Sequence, residues 1–75
     1  MMNGFPSRAV VENLRHNYPE GTMVELVRMD DPYTKLRPGD QGTVIAVDDA
    51  GTIHIQWDSG STLGAAYGAD VIRKL

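Results

Sequence analysis

The sequence predicts a mainly β fold, a small five-stranded barrel preceded by one short N-terminal α-helix. Three observations lead there. Apolar residues recur every three to four positions between Ser7 and Tyr18, then every second position from Met23 onward. Turn-forming clusters separate the β-patterned runs at about ten-residue spacing. The chain has 75 residues and no cysteine, which makes one domain whose folding buries only about 60% of the surface the unfolded chain exposes. At that size a sheet curled on itself is an economical way to hide its edges. Residues 1–20 are expected to form the helical unit and residues 21–75 the barrel.

Each element has its own signal. Ser7 follows Pro6 as an N-cap, and Val10 or Val11, Leu14 and Tyr18 share one helical face before Pro19 and Gly21 end the run. A helix this short is marginal alone, so its apolar stripe must dock on the rest of the domain. Val24 and Leu26 alternate with Glu25 in a first strand over residues 23–29. Residues 30–39 contain two prolines and a glycine, which end strand pairing and make the longest loop of the chain. Long loops in compact domains tend to be functional or mobile. Residues 42–47 form a β-branched second strand, Asp48-Asp49-Ala50-Gly51 a turn, and residues 52–57 a third strand with Ile53, Ile55 and Trp57 on one face and His54 and Gln56 on the other. After the turn Asp58-Ser59-Gly60, residues 61–66 read as a fourth, small-residue strand. Residues 67–70 read as one turn of 3₁₀ helix and residues 71–75 as a fifth strand.

Composition excludes several functions. With no cysteine there is neither a disulfide framework nor a thiolate metal site, which fits a reducing cytoplasm. No run of 18 apolar residues spans a bilayer, and the N-terminal stretch lacks the charged and uninterrupted apolar regions of a signal peptide. A net charge of −3 disfavours nucleic acid, because phosphate-gripping proteins carry clustered Lys and Arg, whereas here Arg28, Lys35 and Arg37 are interleaved with Asp30, Asp31 and Asp40. An enzymatic role finds little support. His16 and His54 stand alone, without metal-ligand spacing, and Asp48-Asp49-Ala50-Gly51 lacks the alternating oxygens of a calcium loop. There is no phosphate-cradling glycine motif. No metal or cofactor is expected.

The phrases Gly39-Asp-Gln-Gly-Thr-Val44, Val47-Asp-Asp-Ala-Gly-Thr-Ile53, Trp57-Asp-Ser-Gly-Ser61 and Gly68-Ala-Asp70, with Pro19-Glu-Gly-Thr-Met-Val-Glu-Leu26 and Met29-Asp-Asp-Pro-Tyr33, resemble a family of short SH3-like domains of unknown function. That family occurs in Gram-positive bacteria, their phages and mobile elements. The resemblance runs from Leu14 to Leu75 and implies an SH3-like barrel and a small accessory binding protein, with no catalytic motif. A looser similarity of the strands after Gly39 to the barrel of the Mind-bomb and HERC2 type bears on fold alone.

The candidate site is built from aromatic and charged residues. Trp57 has two roles open to it, a core ring that extends the Ile53 and Ile55 face or a plate that stacks a ligand; a single Trp-Asp dipeptide cannot build a propeller. Asp58 and Ser59 are expected to bond turn amides, with Gly60 supplying a positive φ. Asp30 and Asp31 either cap the turn before Pro32 or belong to a loop that walls a groove floored by Trp57 and Tyr67. The second arrangement is implied by SH3-like peptide binders, which dock extended segments on aromatic plates. The leading expectation is therefore a non-enzymatic module that binds a protein or extended peptide through Tyr33, Trp57 and Tyr67. A second is an oligomer that captures a nucleotide-like small molecule, with Arg28, Tyr33 and Arg37 stacking a base and holding a phosphate. A third is nucleic-acid binding. The candidate ligand-binding residues are thus Arg28, Asp30, Asp31, Tyr33, Arg37, Trp57 and Tyr67.

Overall fold

Ser7 begins the helix as its spacing suggests. In a computed structural model that describes residues 6–75, its hydroxyl accepts a bond from the Val10 amide at 3.3 Å, and helix α1 runs Arg8–Asn17. The stop comes at Tyr18, which leaves helical geometry while its amide still donates to the Leu14 carbonyl. Val11 is the buried residue of the helix, and Leu14 and Tyr18 pack against the core. Residues 1–5, part of the expected unit 1–20, lie outside the described residues.

Four strands follow: β1 Met23–Arg28, β2 Gln41–Val47, β3 Ile53–Trp57 and β4 Val71–Lys74. They form one antiparallel sheet in the order β3-β2-β1-β4. Alternation sends Val24 and Leu26 of β1, Val44 of β2, and Ile53, Ile55 and Trp57 of β3 to the same side, where Leu36, Val47 and Ala65 complete the core. Gly42 sits opposite Trp57 because its position has no room for a side chain: a Cβ there would lie 2.6 Å from Ile55 Cγ2.

The expected five-stranded barrel is instead an open four-stranded sheet. Residues 61–66 do not form the fourth expected strand; their one β-bridge to β3 pairs Ile53 with Ala65. The reason lies in where their polar groups go. The Ser61 carbonyl accepts from the Trp57 amide, the Leu63 amide donates to the Ser61 hydroxyl, and the Leu63 carbonyl accepts from the Trp57 indole. Both backbone groups of Leu63 thus go to side chains, which interrupts pairing with β3 between the bonds made by Ser61 and Ala65. Residues 67–69 make a hydrogen-bonded turn rather than 3₁₀ helix, with Gly68 at φ 83°. The last strand forms as expected and lies beside β1, with a register shift between Leu26 and Arg28. Among the described residues no helix is long and apolar enough to cross a membrane.

Candidate functional site

The long loop is fixed at both ends and in its middle. At its base the Gly39 amide donates to the Leu26 carbonyl and the Leu26 amide to the Asp40 carbonyl, each at 2.8 Å. At its start the Asp30 amide donates to Asp70 Oδ1 at 2.7 Å, while the other Asp70 oxygen accepts from the Ala66 amide at 2.8 Å. One carboxylate thus ties the loop to the turn before β4. Asp31 Oδ1 accepts from the Tyr33 amide at 2.9 Å, the capped turn before Pro32 that the sequence suggests. Asp40 Oδ2 accepts from the Arg37 amide at 3.0 Å. Leu36, in the middle, is buried in the core, and its amide donates to the Thr34 hydroxyl. A loop held this way presents its remaining side chains in a set direction.

Foremost among them is Tyr33, which is 91% exposed. It borders a cleft of about 450 Å³ that separates the loop from the turn after β3, lined by Asp31, Tyr33, Lys35 and Leu36 on one side and Ser59, Ser61 and Leu63 on the other. That turn is closed by backbone bonds, from the Gly60 amide to the Trp57 carbonyl and from the Trp57 amide to the Ser61 carbonyl. Gly60 takes φ 103°. Asp58 and Ser59 do not bond the turn amides as their residue types suggest; the side-chain bond next to this turn runs from the Leu63 amide to the Ser61 hydroxyl. The cleft therefore offers an aromatic ring, leucine side chains, hydroxyls and an ammonium group within one concave surface. Such a set suits an extended segment that carries both apolar side chains and hydrogen-bond acceptors.

The seven sequence-predicted residues do not converge. Asp31 and Tyr33 share the cleft just described. Trp57, 1% exposed, is a core residue, and its Nε1–H donates to the Leu63 carbonyl at 2.7 Å; it supports the cleft wall from behind and offers no ring face to a groove. Tyr67, 54% exposed, borders a separate, more apolar cleft of about 280 Å³ between α1 and residues 65–72, where Leu14, Tyr18 and Ile72 also lie. The two clefts share no lining residue. Asp30 acts through its backbone, and the exposed side chains of Arg28 and Arg37 line neither cleft.

Sequence reasoning missed Ser59, Ser61 and Leu63 as the opposing wall, and Leu36 and Asp70 as anchors. A lone leucine inside a polar, proline-rich loop was the available signal for Leu36; the motif Gly68-Ala-Asp70 was the signal for Asp70.

A second polar cluster lies at the other end of β2 and β3. Asp48 Oδ1 accepts from the amides of Ala50 and Thr52, and His54 Nε2–H donates to Asp48 Oδ2 at 2.9 Å. The bond from His54, with those from the Thr52 and Ala50 amides, holds the Asp48 carboxyl below the usual carboxylate range, against a smaller opposing effect of burial. Arg15 joins the helix to this turn: its Nε donates to the Val47 carbonyl at 3.0 Å, and its Nη2 to Asp49 Oδ1 at 2.6 Å. Gly51, at φ 82°, passes so close to Pro6 that a Cβ would lie 2.7 Å from Pro6 Cγ. Among the described residues, no three of His, Asp or Glu gather where they could hold a metal ion. The Asp48 cluster is spent on closing a turn.

No curated protein and no solved structure matches the chain. One family does, over residues 7–75, which takes in α1, all four strands, the anchored loop and both walls of the Tyr33 cleft. The chain belongs to that family, the domain of unknown function DUF4314.

Proposed function

We propose that this protein is a non-enzymatic binding module that holds an extended segment of another protein in the cleft between residues 31–36 and residues 59–63. The observation that carries this reading is Tyr33, an almost fully exposed aromatic on a loop whose backbone is tied down on every side. Leaving a tyrosine in water contributes nothing to the core, and anchoring the loop lowers the entropy lost when a partner docks. Leu36 and Leu63 supply an apolar floor, while Ser59, Ser61 and Lys35 offer donors to a partner's carbonyls or carboxylates. The sequence resemblance to SH3-like domains of phages and mobile elements supports the same reading and suggests an accessory protein acting in the cytoplasm.

Capture of a nucleotide-like molecule has less support, since Arg28 and Arg37 do not line the cleft that Tyr33 borders. Selection of random peptides displayed on phage, against the wild type and Tyr33→Ala in parallel, tests the proposal. Peptides enriched on the wild type should lose most of their affinity for Tyr33→Ala while that variant keeps its melting temperature. Equal enrichment on both proteins would remove the cleft from consideration.

A further inference from the structure

The sheet has a second face, and its pattern is unlike that of the cleft. On β1 and β4, Val24, Leu26 and Ile72 point toward the core, and Lys74 reaches the Tyr18 ring of the helix side, its Nζ 5.5 Å from the ring centre. Alternation therefore sends Met23, Glu25 and Val27 of β1, with Val71, Arg73 and the adjoining Leu75, to the opposite face. The four apolar residues of this set are between 42% and 57% exposed.

Their arrangement has an order. Glu25 and Arg73 are register partners, and Arg73 Nη2 donates to Glu25 Oε1 at 2.9 Å. On one side of this pair lie Met23 and Leu75, joined by the bond from the Leu75 amide to the Met23 carbonyl; on the other lie Val27 and Val71 at the register shift, with the exposed Arg28 as the register partner of Val71. The neighbouring half of the same face is polar and uncharged where β2 and β3 carry Gln41, Thr43 and Gln56. An apolar row, an acid beside a base, and a second apolar row that ends at the exposed Arg28 thus follow one another along β1 and β4.

We propose that this face binds a second copy of the chain. A twofold axis lying in the interface, parallel to the strands and between β1 and β4, exchanges the two strands. It sets Glu25 over the partner copy's arginine, Met23 over its Leu75 counterpart, and Val27 over its Val71 counterpart. The central ion pair and the apolar residues on either side of it are each complementary to themselves, as an isologous interface requires, and Arg28 stands at the rim.

Its size fixes the strength of the contact. Two strands about five residues long cover roughly 17 Å by 10 Å, well short of the roughly 800 Å² per partner that stable complexes bury. The dimer is weak and forms at high concentration. It leaves the Tyr33 cleft open, because none of its six residues lines that cleft, so it stands or falls apart from the peptide-binding proposal.

Sedimentation velocity and light scattering of the whole chain, from micromolar to millimolar concentration, read the association. The wild type should move from monomer toward twice the monomer mass. Glu25→Arg makes both central charges positive and Arg73→Glu makes both negative, so each variant alone should stay monomeric. An equimolar mixture of the two should regain association, because unlike patches then face each other. Circular dichroism confirms that each variant is folded. Should either charge variant fail to fold, Leu75→Lys, at a more exposed position, should weaken wild-type association roughly tenfold or more. A wild type that remains monomeric throughout overturns the proposal. So does association that persists unchanged in the single variants, which would place the contact on another surface such as the free edge of β4, and so does a mixture that fails to associate.

Discussion

Replacing Trp57 tests the packing on which the cleft rests. The ring is 1% exposed, packs among Val24, Leu26, Val44 and Ile55, and bonds the Leu63 carbonyl through its indole N–H. Trp57→Ala removes the largest buried side chain and should cost about 3 to 5 kcal/mol. At roughly 0.05 to 0.15 kcal/mol per residue, a chain of 75 residues has about 4 to 11 kcal/mol in total. The alanine variant should therefore unfold at a much lower denaturant concentration than the wild type, and at the lower end of that range should not fold at all. Trp57→Phe keeps an aromatic ring but leaves the Leu63 carbonyl without its donor. That carbonyl belongs to a partly exposed residue and can find water, so the loss lies near the lower end of the range for an orphaned acceptor, about 1 kcal/mol, with a further loss for the smaller ring. Urea unfolding followed by circular dichroism at the peptide band measures both variants without relying on tryptophan fluorescence. An alanine variant with the wild-type midpoint would refute the core assignment, and a phenylalanine variant as damaged as the alanine one would refute the division between packing and hydrogen bond.

Three further outcomes follow from the structure. Asp48 has a folded-state pKa below its unfolded value near 3.8, so its contribution to stability is full above that pH and is lost as pH falls through the lower, folded value; the melting-temperature gap between wild type and Asp48→Asn should close over that window, and a gap independent of pH would contradict the assignment. Asp70→Ala removes the acceptor of two loop amides and should cost about 1 to 2 kcal/mol, with faster hydrogen exchange at Asp30 and Ala66; unchanged exchange at both would remove Asp70 as the anchor. Gly51→Ala places a Cβ against Pro6 at a positive φ and should lower the melting temperature by loosening the start of α1 from the β2–β3 turn, whereas an undisturbed helix and melting temperature would contradict that contact.

The elements with a strong period were legible in the sequence. Ser7, Val11 and Leu14 define α1, and the alternation through Ile53, Ile55 and Trp57 defines β3 down to which side chains are buried. What the sequence did not disclose is the use of backbone groups. Residues 61–66 have the small side chains of a strand, yet the Trp57 indole and the Ser61 hydroxyl take both backbone groups of Leu63 and interrupt the ladder with β3. The site was half legible. Tyr33 and Asp31 were correctly placed on one loop, but grouping them with Trp57 and Tyr67 required knowing which face each aromatic takes, and tertiary packing buries the first and sends the second to another cleft. Leu36 and Asp70 act across long sequence separations, 40 residues in the bond from Asp30 to Asp70, where local pattern carries little information.

The central claim is that the Tyr33 cleft receives an extended peptide. A titration of the ¹⁵N-labelled chain with one peptide selected on the wild type, followed by amide chemical shifts, tests it most directly. The account predicts shifts concentrated in residues 31–36 and 59–63, and little change on adding the same peptide to Tyr33→Ala. Shifts centred on Tyr67 and residues 65–72, or an equal response in the Tyr33→Ala protein, would contradict it.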